Sequence, residues 1–123
     1  MGKVLLLDGG DTWQGSYTSL QSRGDDMVKV MNALNVDAMT AHWEFTYGQA
    51  RVERAVKEEL AGGIEFVAQN VKTTDFGDPV FKPFVLRELG GVPVAVISQA
   101  FPYTPIANPR WMIPEWSFGI EEQ

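Results

Sequence analysis

Two residues in this chain stand where metal chemistry is possible. Asp11 lies in the acidic, glycine-rich turn Asp8-Gly9-Gly10-Asp11-Thr12-Trp13-Gln14-Gly15-Ser16. His42, the single histidine, lies in Ala41-His42-Trp43-Glu44-Phe45. Carboxylate and imidazole are good ligands for divalent manganese, iron or zinc. A carboxylate can also bridge two ions, and such a pair clamps the attacking and leaving oxygens of a displacement at phosphorus or sulfur. The glycine pair before Asp11 lets backbone approach closely. Plainer roles exist for the same residues. Asp8 and Asp11 can cap turn amides, His42 can be a core histidine bonded to a backbone carbonyl, and Glu44 can be a solvated loop charge. Trp43, Phe45, Tyr47, Trp111 and Trp116 can be packing alone. Residue types and spacing leave both sets of roles open.

The elements that must position these residues are legible in the hydrophobic pattern. Val4-Leu5-Leu6-Leu7 does not alternate and reads as a strand buried on both faces. Ser16 is placed to cap a short helix through Tyr17, Leu20 and Gln21, which Gly24 interrupts. A second helix starts at Asp25 or Asp26, where acidic side chains suit the helix dipole. Its apolar positions are Met27, Val30, Met31 and Leu34, and Asn35 ends it. Val36 to Thr40 is the second strand, followed by the aromatic loop His42 to Gly48. A third helix runs from about Gln49 to Leu60 with Val52, Ala55, Val56 and Leu60 as its buried stripe; Arg51, Arg54 and Lys57 punctuate it. Gly62-Gly63 stops it, and Ile64 to Ala68 is the third strand.

The order is βαβαβ, for which a right-handed parallel sheet is the default. Both candidate ligands then follow strand ends on one edge, where open α/β sheets bind ligands. Thr73 to Pro83 reads as loop with a turn at Gly77-Asp78-Pro79. Phe84–Leu89 and Val92–Ile97 flank Gly90-Gly91 as a β-hairpin, with Pro93 near a strand start. From Phe101 the prolines and tryptophans predict an irregular segment, with no closing element before Ile120-Glu121-Glu122-Gln123.

Composition narrows the classes. The chain has 123 residues, 45% hydrophobic and 11% aromatic, enough for a core and against disorder. A net charge of -6 with scattered basic residues argues against a nucleic-acid surface. Without cysteine there is no disulfide and no thiolate metal site. No apolar run is long enough to span a membrane, and Met1-Gly2-Lys3-Val4 enters a strand with no visible signal peptide.

Beyond this pattern, the motifs resemble those of the SoxB sulfur-oxidation thiosulfohydrolases, relatives of the 5′-nucleotidases and other metallophosphoesterases. The matching residues are Leu7 to Ser16, Asp26-Met27, Met31 to Leu34 and Val36 to Gly48, with Phe76-Gly77-Asp78-Pro79 and Phe101-Pro102-Tyr103. Nucleotidases carry Gly-Asn-His-Glu where this chain has Ala41-His42-Trp43-Glu44. The SoxB-like mark is His42 at the asparagine ligand position and Trp43 at the catalytic-histidine position.

The resemblance implies an α/β fold, part of a metallophosphoesterase-like α-β-β-α sandwich: βαβαβ followed by a β-hairpin. It implies that residues 1–123 are an internal part of the N-terminal catalytic domain, with no complete domain, because the family's Asp-x-His and Gly-His-x-His motifs are not in this sequence. Asp11 would be a bridging metal ligand, His42 the ligand of the second motif, and Trp43 a substrate-side residue. The implied cofactor is a pair of Mn2+ ions, the implied partner is the SoxYZ carrier protein, and the implied location is the periplasm. The implied reaction releases sulfate from a cysteine S-thiosulfonate on the carrier. A persulfide leaving group needs little protonation, which rationalises Trp43 in place of a histidine. The family usually has Gly at the position of Ala41, which matters if that residue needs a positive φ. A 5′-nucleotidase-like metallophosphohydrolase and a metal-free α/β interaction module are the alternatives.

Overall fold

The computed structural model describes residues 4–120. Met1, Gly2 and Lys3 at the entry to the first strand, and Glu121 to Gln123 at the end, lie outside the described residues. Three short strands, β1 (Leu7–Asp8), β2 (Ala38–Met39) and β3 (Glu65–Phe66), form a parallel sheet in that order. Leu7 pairs with Ala38 and Ala38 with Glu65. Helices α1 (Tyr17–Ser22) and α2 (Asp25–Ala33) connect β1 to β2. A 3-10 turn (Trp43–Tyr47), helix α3 (Gln49–Arg54) and its π-type continuation (Ala55–Glu59) connect β2 to β3. The βαβαβ order expected from the sequence is therefore present.

Local chemistry explains the boundaries. The Ser16 side chain accepts from the Ser19 amide and caps α1. Between α1 and α2 the chain reverses through Arg23 (φ 54°) and Gly24 (φ 82°), and Asn35 (φ 56°) ends α2. Hairpin strands β5 (Phe84–Leu89) and β6 (Val92–Ile97) turn over Gly90 (φ 56°) and Gly91 (φ 81°). Two consecutive positive φ angles are what a type I′ turn requires, and glycine meets that at low strain. Pro93 sits one residue into β6, opposite Glu88.

Adjacent residues on a strand face opposite sides, so the parallel sheet divides two cores. Met39 and Phe66 join the larger one with Trp13, Met31, Phe45, Val52 and Leu60. Ala38 and Val67 join Val85 and Val96 of the hairpin on the other side. Phe45 is fully buried and meets Phe118 edge-on with ring centres 4.9 Å apart, and Trp116 at 6.0 Å.

Several expectations are corrected. Val4 to Leu7 is not a strand buried on both faces. Only Leu7–Asp8 pairs, on the sheet's edge, and Leu7 is 52% exposed because no described residue covers it. Helix α2 buries Val28 and Met31, while Val30 and Leu34 face out. Its approach places Val28, one position off the expected stripe, against the core. The loop from Thr73 and the irregular end are tied together by strands β4 (Val71–Thr73) and β7 (Trp116–Phe118), which pair antiparallel. Between them lie a short helix α4 (Thr104–Ala107) and a 3-10 turn (Arg110–Met112). Trp116 is a buried anchor and Trp111 is not, being 74% exposed. No helix among the described residues is long and apolar enough to cross a membrane.

Candidate functional site

The turn after β1 and the turn after β2 meet at the carboxyl edge of the sheet. Asp8 shapes the first. Its Oδ1 accepts from the Gly10 amide at 2.9 Å, and both carboxylate oxygens accept from the Thr12 hydroxyl, at 2.7 and 2.8 Å. Asp8 is thus the turn-capping residue that its position allows. The turn holds Asp11 exposed at φ 64°, a left-handed conformation that Asp tolerates better than most side chains. Gly10 (φ 89°) lets the turns touch. A Cβ there would lie 2.9 Å from the Ala41 carbonyl carbon and 2.9 Å from the His42 amide nitrogen.

Glu44 joins the two turns. It is fully buried. Its Oε1 accepts from the Thr12 amide at 2.6 Å and from the Trp13 amide at 3.4 Å, and its Oε2 accepts from the His42 amide at 2.7 Å. Amide donors aimed at an ionised carboxylate are the strong class of hydrogen bond, and they offset its desolvation. Glu44 is therefore not the solvated loop charge that its place in an aromatic loop suggests. Two further ties run alongside. Gln14 Nε2 donates to the Trp43 carbonyl at 2.7 Å, and the Tyr47 hydroxyl donates to the Trp13 carbonyl at 2.8 Å and to the Ser19 carbonyl at 3.1 Å. Burial raises the Tyr47 pKa above its ordinary value, with the charges of Asp26 and Glu44 adding to the shift.

His42 lies half-buried under an aromatic lid. Its ring stacks on Phe101 with centroids 4.4 Å apart, and Trp43 meets it edge-on at 5.3 Å. The Phe101 amide donates to the Ala41 carbonyl, which brings the segment after β6 to the site. His42 Nδ1 is a buried polar atom with no hydrogen-bond partner. A core histidine held by a carbonyl at that nitrogen is thereby replaced by a ring held through stacking, with a free donor atom. The nearby Thr40 Oγ1 and Gln69 Nε2, both beyond the carboxyl ends of strands, are also buried without partners. A pocket of about 140 Å3 opens beside Thr40, lined also by Asp8, Gly9, Val96 and Ser98 among others. A larger cleft of about 330 Å3 lies by Gly63 and Glu65, where the chain enters β3, and touches neither turn.

The structure thus brings Asp11, His42 and Trp43 onto adjoining turns at one edge of the molecule. Among the described residues, no group of three or more His, Cys, Asp or Glu side chains is arranged to hold a metal ion. Glu44 and Tyr47, which the sequence reads only as a loop charge and as packing, and Gln14, which it does not mark, fasten the site. The signal available for Glu44 was its place two residues after His42, where a tight turn returns a carboxylate to the amide of the residue it follows.

No family model matches the chain, and no curated protein matches it. Solved structures do. The chain is 38% identical to a Thermus thermophilus sulfate thiohydrolase, SoxB, over 96% of its length, with a TM-score of 0.86. A Staphylococcus aureus protein described as a putative 5′-nucleotidase matches over 94% of the chain at 20% identity and TM-score 0.76. The Haemophilus influenzae NAD nucleotidase matches over 95% at 23% identity and TM-score 0.75. At those lower identities the two nucleotidases speak for the fold. The chain spans 21% of the SoxB structure and 23% of each nucleotidase. Ala41-His42-Trp43-Glu44 and the 38% identity to SoxB point the same way: over its length this chain is similar to a segment of SoxB, on a fold that the two nucleotidases share.

Proposed function

We propose that this segment supplies Asp11 and His42 to a dinuclear metal centre in a hydrolase that releases sulfate from a cysteine S-thiosulfonate on a carrier protein of the SoxYZ type. The observation that carries this reading is the joining of the two strand-end turns, with the unpartnered Nδ1 of His42 beside them. An imidazole nitrogen and an exposed carboxylate suit divalent manganese, and the remaining ligands would come from residues outside this segment. When bound, such a pair polarises the oxygens of an anionic substrate and acidifies a water molecule.

The chain's own residues do the rest. The Asp8 turn presents Asp11, Phe101 fixes the plane of the His42 ring, and Trp43 lines the substrate side with an indole whose N–H can donate a hydrogen bond but is too weak an acid to protonate a leaving group. That suits a persulfide leaving group, which departs without protonation, better than an alkoxide. The periplasm is the corresponding location. A nucleotidase-like phosphohydrolase is the second reading, supported by the shared fold; Trp43 in place of a proton-donating histidine favours the first.

Two assays test this. The gene product that carries this segment, loaded with Mn2+, should release sulfate from carrier-bound thiosulfonate much faster than phosphate from AMP; the reverse preference would overturn the substrate assignment. The 123-residue chain itself should show no turnover, and millimolar Mn2+ should broaden the amide signals of both turns. Turnover by the chain alone, or Mn2+ that leaves both turns untouched, would overturn the shared-site reading.

A further inference from the structure

We propose that Glu44 is a positioning residue that sets the separation of Asp11 and His42 and so governs metal affinity, an inference that rests on the metal reading above. Glu44 touches neither candidate ligand's side chain. It holds the backbone on which each is mounted. One oxygen takes the amides of Thr12 and Trp13, immediately after Asp11, and the other takes the amide of His42 itself. Both turns are therefore indexed to a single planar group with no exposure to solvent. Only a carboxylate can do this. It offers acceptors at both ends, whereas an amide of the same shape offers one acceptor and one donor, and the donor would face an N–H. Metal ligands held on separate loops need such outer contacts to keep their spacing, and the loss of one commonly costs 10- to 100-fold in metal affinity.

The glycine at position 10 supports the same conclusion. A tether this short requires the two backbones to lie in contact, and Gly10 is where they do. Gln14 and Tyr47 also join the turns, but they bind carbonyls of Trp43 and Trp13 and not the amides flanking the two ligands.

The test uses the 123-residue chain, titrated with MnCl2 and followed through paramagnetic broadening of assigned amide signals. In the parent chain, Gly10 to Trp13 and Ala41 to Trp43 should broaden over one Mn2+ range. In E44Q the range should move up at least tenfold and split between the two turns, while signals of the hairpin from Val85 to Val96 stay unchanged. K29A, which removes an exposed ion pair with Asp25 on α2 and touches neither turn, should stay within twofold of the parent. Equal titration of E44Q and the parent overturns this inference alone, as does a tenfold shift in K29A. Should E44Q not fold, E44D, whose carboxylate on a stem one carbon shorter cannot reach the Thr12 and His42 amides together, takes its place with the same expectation. Absence of broadening in the parent overturns the metal reading and this inference together.

Discussion

Gly10 shows how much of the site rests on single backbone positions. Its φ of 89° is strained for any side chain, and a Cβ would stand 2.9 Å from backbone atoms of Ala41 and His42, which cannot rotate away. Strain of this kind costs roughly 1–3 kcal/mol and the overlap adds to it. Gly10→Ala should therefore lose about 2 kcal/mol or more of unfolding free energy in urea; an unchanged midpoint would mean that the two turns part easily. Ala41 is the counter-example. The family resemblance places glycine there, yet Ala41 is not among the residues with positive φ, and it is fully packed in the core. Its methyl group is accommodated. The placement of Asp11, His42 and Trp43 on turns past strand ends was legible in the sequence, because a turn follows each strand. Glu44 was not, because a carboxylate between aromatic residues reads as solvent-facing until both of its oxygens are seen to have amide partners.

The 3-10 turn from Trp43 to Tyr47 is the element on which the site's cohesion depends. Tyr47, at its end, reaches back to the carbonyls of Trp13 and Ser19. Tyr47→Phe should cost about 1–2 kcal/mol at pH 7, since it leaves the Trp13 carbonyl without its hydroxyl donor. The pH dependence has a definite sign. The folded pKa of Tyr47 is raised above its ordinary 10.0, chiefly by burial. Its contribution is complete below about pH 10 and is lost as pH climbs toward the folded value. The gap between parent and Tyr47→Phe in urea unfolding should thus be constant from pH 7 to 9 and narrow above pH 10. A gap that widens there would mean that the hydroxyl ionises more readily in the folded chain. Elements with strong local signals, such as the Ser16 cap and the Gly90-Gly91 turn, were readable from sequence. Strands β4 and β7 were not. Each has three residues, and Val71 finds Phe118 across a long stretch of chain, so their pairing is decided by the packing of Trp116 and Phe118 on Phe45 and not by local propensity.

At the scale of the whole molecule, the sheet is covered unequally. The face carrying Met39 and Phe66 has helices and an aromatic core over it, but among the described residues β1 is an open edge and the hairpin has two. Leu6, Leu7, Phe84, Leu86, Val92 and Ile97 are exposed along these strands and the approach to β1. The alternation of β5 makes the reason plain. Val85 faces inward against Ala38 and Val67, so its neighbours Phe84 and Leu86 must face out. An uncovered apolar row beside unpaired strand edges is a template for association. The purified chain should accordingly self-associate as its concentration rises, as seen by sedimentation velocity. Leu86→Lys tests the cause. Leu86 is 63% exposed, so the change should leave unfolding free energy within about 0.5 kcal/mol of the parent. It should nevertheless shift the chain toward monomer, because a lysine in the row opposes its own copy. Val85→Lys, on the inward face, should instead unfold the hairpin from the sheet. Should the parent chain sediment as a monomer at every concentration, the exposed row would be too weak to associate, and the unequal covering of the sheet would carry no consequence in solution.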